Sequence, residues 1–299
     1  MMKHIRTFLT ALLLAPLTVL HAAELPQNIH DNFDSGSWSP AWKKEIPFGY
    51  SAKIVDDPAG PGKCLALEWR RADFDGERPS KGVELKTGHY FPTVEKWSSF
   101  RLYFSSRTFG VDSRPVIFAQ WHDVPDFKLG EGWRNPITAF SYQNGKIRFN
   151  ALGDKERLTK GKDGIWEYTT RKSMELGAPK MDAWNTFLCH HRFDPTGDTG
   201  LVEIWFNGQR FALENINVGF NDQTGPYWKF GFYYYEGKSD FESRIALFDD
   251  VRIGDSREEV TKGMQIEDGK VAPAPKSSRE KSSVRAATTK AKYPPGRNT

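Results

Sequence analysis

Two short segments hold the residues whose types and spacing suit chemistry. In "FAQWH" (118–122), Gln120 and His122 stand two apart. In "PYWKFGFYYY" (226–235), Tyr227, Lys229, Tyr233 and Tyr235 alternate with Trp228, Phe230, Phe232 and Tyr234. On an extended chain, side chains two apart share a face. Phe118, Gln120 and His122 are therefore expected on one face, and the Trp228 set in a core with the Tyr227 set turned away from it. Gly231, between Lys229 and Tyr233, is expected to leave space over the sheet for a ligand. The combination offers an amide, an imidazole, a cation and a phenol, and no paired carboxylates. That set suits β-elimination in a uronic-acid polysaccharide. A donor neutralises the C6 carboxylate and acidifies the C5 proton, a base removes that proton, and an acid protonates the departing O4. Neither a metal nor a nucleophile is required. Each segment alone reads equally as an ordinary strand face; only their combination points to a site.

Further residues suit an extended anionic ligand. Trp133, Arg134 and Asn135 lie in the loop "GEGWRNP", and Lys146, Arg148 and Asn150 share one strand face opposite Ile147 and Phe149. In "VELK", Val83 and Leu85 are expected inward, Glu84 and Lys86 outward. The plain alternative for these residues is a solvated face and a structural loop. A glycoside hydrolase needs two carboxylates flanking the scissile bond, and no Glu-x-Asp-x-x-Glu-like run lies in a central strand. A non-catalytic glycan-binding module would need aromatics and cations but not Gln120, His122 and Tyr233 together. Adjacent His190 and His191 point opposite ways on a strand, so a catalytic metal is not expected.

The elements that must position these residues are strands. Strand-like runs recur every dozen or so residues, from Cys64–Arg70 and Gly82–Tyr90 through Val116–His122 and Lys146–Ala151 to Trp228–Tyr235 and Ser243–Ile253. "SYQNGKIRF" and "EIWFNGQRF" each place Asn-Gly between alternating runs, which predicts type I′ hairpins. With 14% aromatic residues and few helix signals, the expected fold is all-β: a two-sheet antiparallel sandwich or β-jelly roll, with "DNFDSGSWSPAW" and "ALFDDVRIGD" as its terminal strands. Cys64 and Cys189 lie in apolar runs where buried thiols are common, although an oxidising compartment would let them pair.

Residues 1–23 run from a basic start through an apolar stretch to small residues, the order of a secretory signal peptide. The jelly-roll domain is expected over 24–262, and a disordered basic tail over 263–299. From Lys270 on the tail carries a net +7 and the first 23 residues +2, so the body between carries −5 of the chain's +4. The high pI of 8.9 thus comes from the tail, and nucleic-acid binding by the body is not indicated. No run reaches the length of a membrane span. A secreted or periplasmic monomer is expected.

Over about residues 32–255 the chain resembles polysaccharide lyases with a concanavalin-like jelly roll, of the heparin lyase I and glucuronan lyase type, with alginate lyases more distant. "AQWH" is similar to that family's Gln-x-His strand and "YWKFGFY" to its Tyr-x-Lys-x-Gly-x-Tyr strand, supported by "LVEIWFNGQ" and "FDDVRIGD". The resemblance implies catalytic roles for four residues. Gln120 would neutralise the carboxylate, His122 would neutralise or act as base, Tyr233 would be the acid or acid/base, and Lys229 would support them. Arg134, Asn135, Lys86, Arg148, Asn150, Tyr227 and Tyr235 are the expected substrate contacts. One departure stands out: the family's arginine two residues before a strand glutamate is Gly82 here, with Lys86, Lys81 or Arg78 as sources of the missing charge. No cofactor is needed for such a reaction; a structural Ca²⁺ near the terminal strands would use Asp249 or Asp250.

Overall fold

The computed structural model describes residues 28–88, 90–91, 95–162 and 165–264. The expected signal peptide, and the expected tail apart from Gly263 and Met264, lie outside them. Among the described residues, eighteen strands, numbered in chain order, build two large sheets and one small hairpin. The first sheet has the order β15 (Gln209–Ile216), β14 (Gly200–Phe206), β13 (Trp184–Arg192), β6 (Glu95–Phe104), β18 (Ser243–Gly254), β4 (Lys63–Arg70) and β3 (Ala52–Asp56). The terminal strand β1 (Ile29–Asp31) also pairs with β18. The second sheet has the order β12 (Thr170–Gly177), β9 (Lys146–Asp154), β8 (Thr138–Gln143), β7 (Val116–Val124), β17 (Thr224–Tyr233), β5 (Gly82–Thr87) and β2 (Trp42–Glu45). Strand β16 (Gly219–Phe220) pairs with β9, and β10 (Gly161–Lys162) with β11 (Ile165–Trp166).

The layers pack as an all-β antiparallel sandwich of the jelly-roll type, as the pattern predicts. Both Asn-Gly turns have positive φ at each centre: 52° and 76° at Asn144 and Gly145, 49° and 82° at Asn207 and Gly208. That backbone matches the twist of the strands it joins. The core is aromatic. Phe100 of the first sheet stacks on Phe187 at 4.6 Å and meets Phe118 and Phe140 of the second sheet edge-on. Trp228, Phe230, Phe232 and Tyr234 all point inward as expected.

Phe118 corrects the simple alternation. It lies in the core, whereas Gln120 and His122 face outward, because β7 shifts register between Ile117 and Ala119. A bulge inserts an extra residue and so reverses the face on which neighbours emerge. Cys64 and Cys189 are buried and free, with the Cys64 thiol pushed up to about 12 chiefly by burial. The adjacent histidines do face opposite ways. His191 is enclosed between the sheets and held neutral, its pKa lowered by burial to about 3, while His190 bridges Glu95 and Glu203 on the outer side.

Candidate active site

The outer face of the second sheet gathers most of the expected residues, and strand register explains how. Directly opposed residues on antiparallel strands share a face. Lys86 is opposite Lys229, Lys229 opposite Gln120, Gln120 opposite Ala139, and Ala139 opposite Asn150. One row across four strand pairings thus carries two lysines, the amide and an asparagine. A second row runs from Tyr233 through Ile117 and Ser141 to Arg148. His122 is opposite Tyr227, and their rings stack at 5.6 Å. Trp133, 59% exposed, closes on His122 edge-to-face at 5.7 Å.

Beneath these side chains lies a carboxylate pair that sequence spacing does not reveal. Glu45, from β2, and Glu84, from β5, both reach Lys229, whose ammonium is 2.6 Å from one and 3.4 Å from the other. Lys229 is only 1% exposed, so it is held by these two anions rather than by water. Gln120 donates its amide to Glu84 at 2.5 Å. That contact uses one N–H of the amide and orients the other. Lys86 meets Glu45 at 2.8 Å and lies over the Tyr227 ring. Glu45 is held down to about 2: burial opposes this, but Lys229, Lys86 and Arg78 outweigh it. The Tyr227 phenol is raised well above the tyrosine range by burial and by Glu45 and Glu84. It therefore stays protonated.

The position that the family resemblance assigns to arginine is occupied differently. A Cβ at Gly82 would meet the Phe232 carbonyl at 2.5 Å, so this backbone admits no side chain there. Arg78, from the 3₁₀ turn Arg78–Lys81, comes in from outside the strand. It approaches Glu45 at 3.3 Å and Glu84 at 3.9 Å, and lies over the Tyr233 ring at 5.4 Å. Of the three cations considered for the role, Arg78 is the one beside Tyr233. Lys81 instead lies near Phe74 and Tyr235, and Tyr235 is exposed just past the end of β17.

Gly231 also differs from expectation. Its φ is +135°, and a Cβ would strike the Val83 carbonyl at 2.1 Å. The glycine is required for close approach to β5 at a bulge, not for an opening above the sheet.

Arg134 departs furthest from its expected role as a substrate contact. Its side chain is 1% exposed and its guanidinium is spent on Asp123, Glu131, Asp222 and the Thr159 hydroxyl. Three acidic side chains and a hydroxyl enclose the buried guanidinium and close it to a ligand. Asn135, next in the chain, remains exposed and accepts from the Tyr168 hydroxyl at 3.0 Å. Arg148 and Lys146 both approach Glu175.

Asp249 and Asp250 have guanidiniums as partners, Arg101 at 2.8 Å and Arg252 at 2.7 Å respectively. Among the described residues, the three acids close enough to share an ion are Asp126, Glu131 and Asp222. Arg157 and Arg134 already serve them as cations.

Residues 33–252 match a family model described as polysaccharide lyase. No curated protein sequence matches the chain. Among solved structures it is similar to an endo-β-1,4-glucuronan lyase from the fungus Trichoderma reesei, at 14% identity and a TM-score of 0.61 over 78% of this chain and 97% of that one. It also matches a family 7 alginate lyase, A1-II′ (13%, TM-score 0.49, 72% of this chain and 95% of that one). A family 14 alginate lyase from Aplysia kurodai matches as well (10%, TM-score 0.47, 69% and 88%).

Proposed function

The chain belongs to the polysaccharide lyase family, and from that premise we propose that it is a secreted enzyme cleaving a uronic-acid-containing polysaccharide by β-elimination. The observation that carries the reading is the charge of the outer sheet face around Gln120, the floor of the proposed groove. Arg78, Lys86 and Lys229 outnumber Glu45 and Glu84, so one positive charge is left over beside Gln120. An anionic sugar completes that balance. Glu45 is ill suited to be the general acid of a hydrolase. A glycosidase needs one carboxyl kept protonated as general acid, whereas Glu45 is held down to about 2.

In this reading Gln120, through its second N–H, and Arg78 bind the C6 carboxylate. His122 takes the C5 proton; the C–H electron pair becomes the C4=C5 double bond; the C4–O4 bond breaks with its pair on oxygen, and Tyr233 supplies a proton to O4. His122 pairs with Tyr227, whereas Tyr233 pairs with Ile117 further along β7. The C5 proton and O4 sit on neighbouring carbons, so in this reading both side chains reach one sugar lying over the Gln120–Lys229 floor. Lys86, Asn150, Arg148, Asn135, Tyr227 and Tyr235 are the proposed substrate contacts. Export rests on the order of basic, apolar and small residues in 1–23.

The test is a panel of glucuronan, alginate and glycosaminoglycans, read by the ultraviolet absorbance of the unsaturated product. Product on at least one polymer is expected, with kcat falling by about 10²–10⁴ in His122→Ala and in Tyr233→Phe. A folded protein that yields no unsaturated product from any of them refutes the reading.

A further inference from the structure

Directly behind His122 lies a buried acidic cluster that the groove floor does not use. Asp123 Oδ2 is ion-paired to Arg134, and Arg134 also holds Glu131 and Asp222. All four side chains are at most 3% exposed. Asp123 Oδ1 is completely buried and has no conventional hydrogen bond, yet it lies 3.2 Å from His122 Nδ1. The same Nδ1 is 3.0 Å from the Asp123 carbonyl oxygen and 2.9 Å from the Asp123 N–H.

Those three neighbours make opposite demands on Nδ1. If Nδ1 is bare it accepts from one neutral N–H, and its lone pair faces a buried carboxylate oxygen and a carbonyl oxygen. If it carries the proton, the Asp123 carbonyl accepts it at 3.0 Å and the positive end of that N–H lies beside the buried Asp123 Oδ1, 3.2 Å from Nδ1. A proton beside a buried anion is attracted more strongly than a lone pair is to one neutral amide, and leaving a buried anionic oxygen unmatched costs more than leaving one amide. The protonated Nδ1 is favoured.

We propose that Asp123, fixed by Arg134, is the positioning residue of His122: it keeps the proton on Nδ1, turns the Nε2 lone pair toward the glycan, and balances the imidazolium that forms when Nε2 takes the C5 proton. This deepens the lyase reading and rests on it. The surroundings agree on every side. From its own strand His122 faces Asp123. From the loop it meets Trp133, with Arg134 and Glu131 behind. From β17 it meets Tyr227, over which Lys229 and Lys86 lie at 5.8 Å and 5.6 Å. Asp222 lies against both Arg134 and Asp123, and it carries a proton at neutral pH because burial and Asp123 push it up to about 9. With that proton counted, Asp123 and Glu131 still exceed Arg134 by one negative charge, and an imidazolium cancels it. Tyr227 contributes only a neutral ring face.

The experiment pairs kinetics with a direct view of the ring. In Asp123→Asn the amide offers an N–H to Nδ1 and reverses the tautomer, so kcat is expected to fall about 10³–10⁴-fold, as when a histidine loses its orienting carboxylate, with KM unchanged. A kcat within tenfold of the parent overturns the proposal. Long-range ¹H–¹⁵N correlation spectra of the parent protein, with His122 assigned by its loss in His122→Gln, are expected to show Nδ1–H and bare Nε2. An Nε2–H ring overturns the proposal even if Asp123→Asn fails to fold. The spectra need no substrate. Failure of every polymer to react would therefore refute the lyase reading while the tautomer was still read independently.

Discussion

The groove floor and the cluster behind His122 are built from the same parts and differ in the sign left over. On the floor three cations, Arg78, Lys86 and Lys229, meet two glutamates. Behind His122 one guanidinium, Arg134, meets Asp123, Glu131 and Asp222. The first arrangement opens to solvent at Arg78, whose side chain is 53% exposed, above a buried Lys229; the second is sealed, with Arg134 at 1%. A surplus of cations at the surface suits an anionic ligand. A surplus of anions under an imidazole suits a base that becomes charged. An arginine's role is thus set by what already surrounds its guanidinium, which sequence position does not disclose.

The largest expected effect comes from breaking the sealed cluster. Arg134→Ala leaves buried carboxylates without their cation and is expected to lower stability by about 3–5 kcal/mol, read by denaturant unfolding. The corresponding change on the open floor, Arg78→Ala, is expected to raise KM for a polyuronate about tenfold, or ~1.4 kcal/mol of binding, with little change in Tm. If Arg78→Ala unfolds the protein and Arg134→Ala changes only KM, the contrast between the two networks is reversed.

A pH series separates them further. The Asp222 carboxyl is raised in the folded state from 3.8 to about 9. Its contribution to stability is therefore complete below about pH 4 and is lost as pH rises through about 9. Asp222→Asn, neutral at every pH, is expected to flatten the decline in Tm between pH 5 and 9; an unchanged slope would show that the proton is not held there. The Glu45 carboxyl, lowered to about 2, contributes in the opposite direction. That stability is present above about pH 4.5 and is lost as pH falls toward 2. Glu45→Gln is expected to remove that acid-side loss and also to weaken the hold on Lys229. The smallest effect is expected from Tyr227→Phe. Its phenol remains protonated, so a loss of a few-fold in kcat/KM is expected if it only binds substrate. A loss as large as that of Tyr233→Phe would make Tyr227 the acid instead.

Much of this molecule follows from local pattern. Asn144-Gly145 and Asn207-Gly208 adopt the positive φ values their turns require. The alternation in 226–235 separates Trp228, Phe230, Phe232 and Tyr234 from Tyr227, Lys229 and Tyr233. Gln120 and His122 do share an outer face. Other features escaped that pattern for definite reasons. Strands β2 and β12 are short of apolar alternation, with only Trp42 buried in the one and Met174 and Leu176 in the other, because they lie at the sheet's two edges. The bulge beside Phe118 shifts one side chain to the other face without any glycine or proline to announce it.

The sequence by itself determined most of the strands, their inward faces apart from Phe118, and the amide, imidazole, ammonium and phenol that share one sheet, because side-chain direction in an unbulged strand depends only on neighbours in the chain. Tertiary structure alone decided which charges meet. Glu45 reaches Lys229 across 184 residues, and Asp222 reaches Arg134 across 88. An ion pair depends on distance in space and on exclusion of water, and neither exists until the sheets have packed.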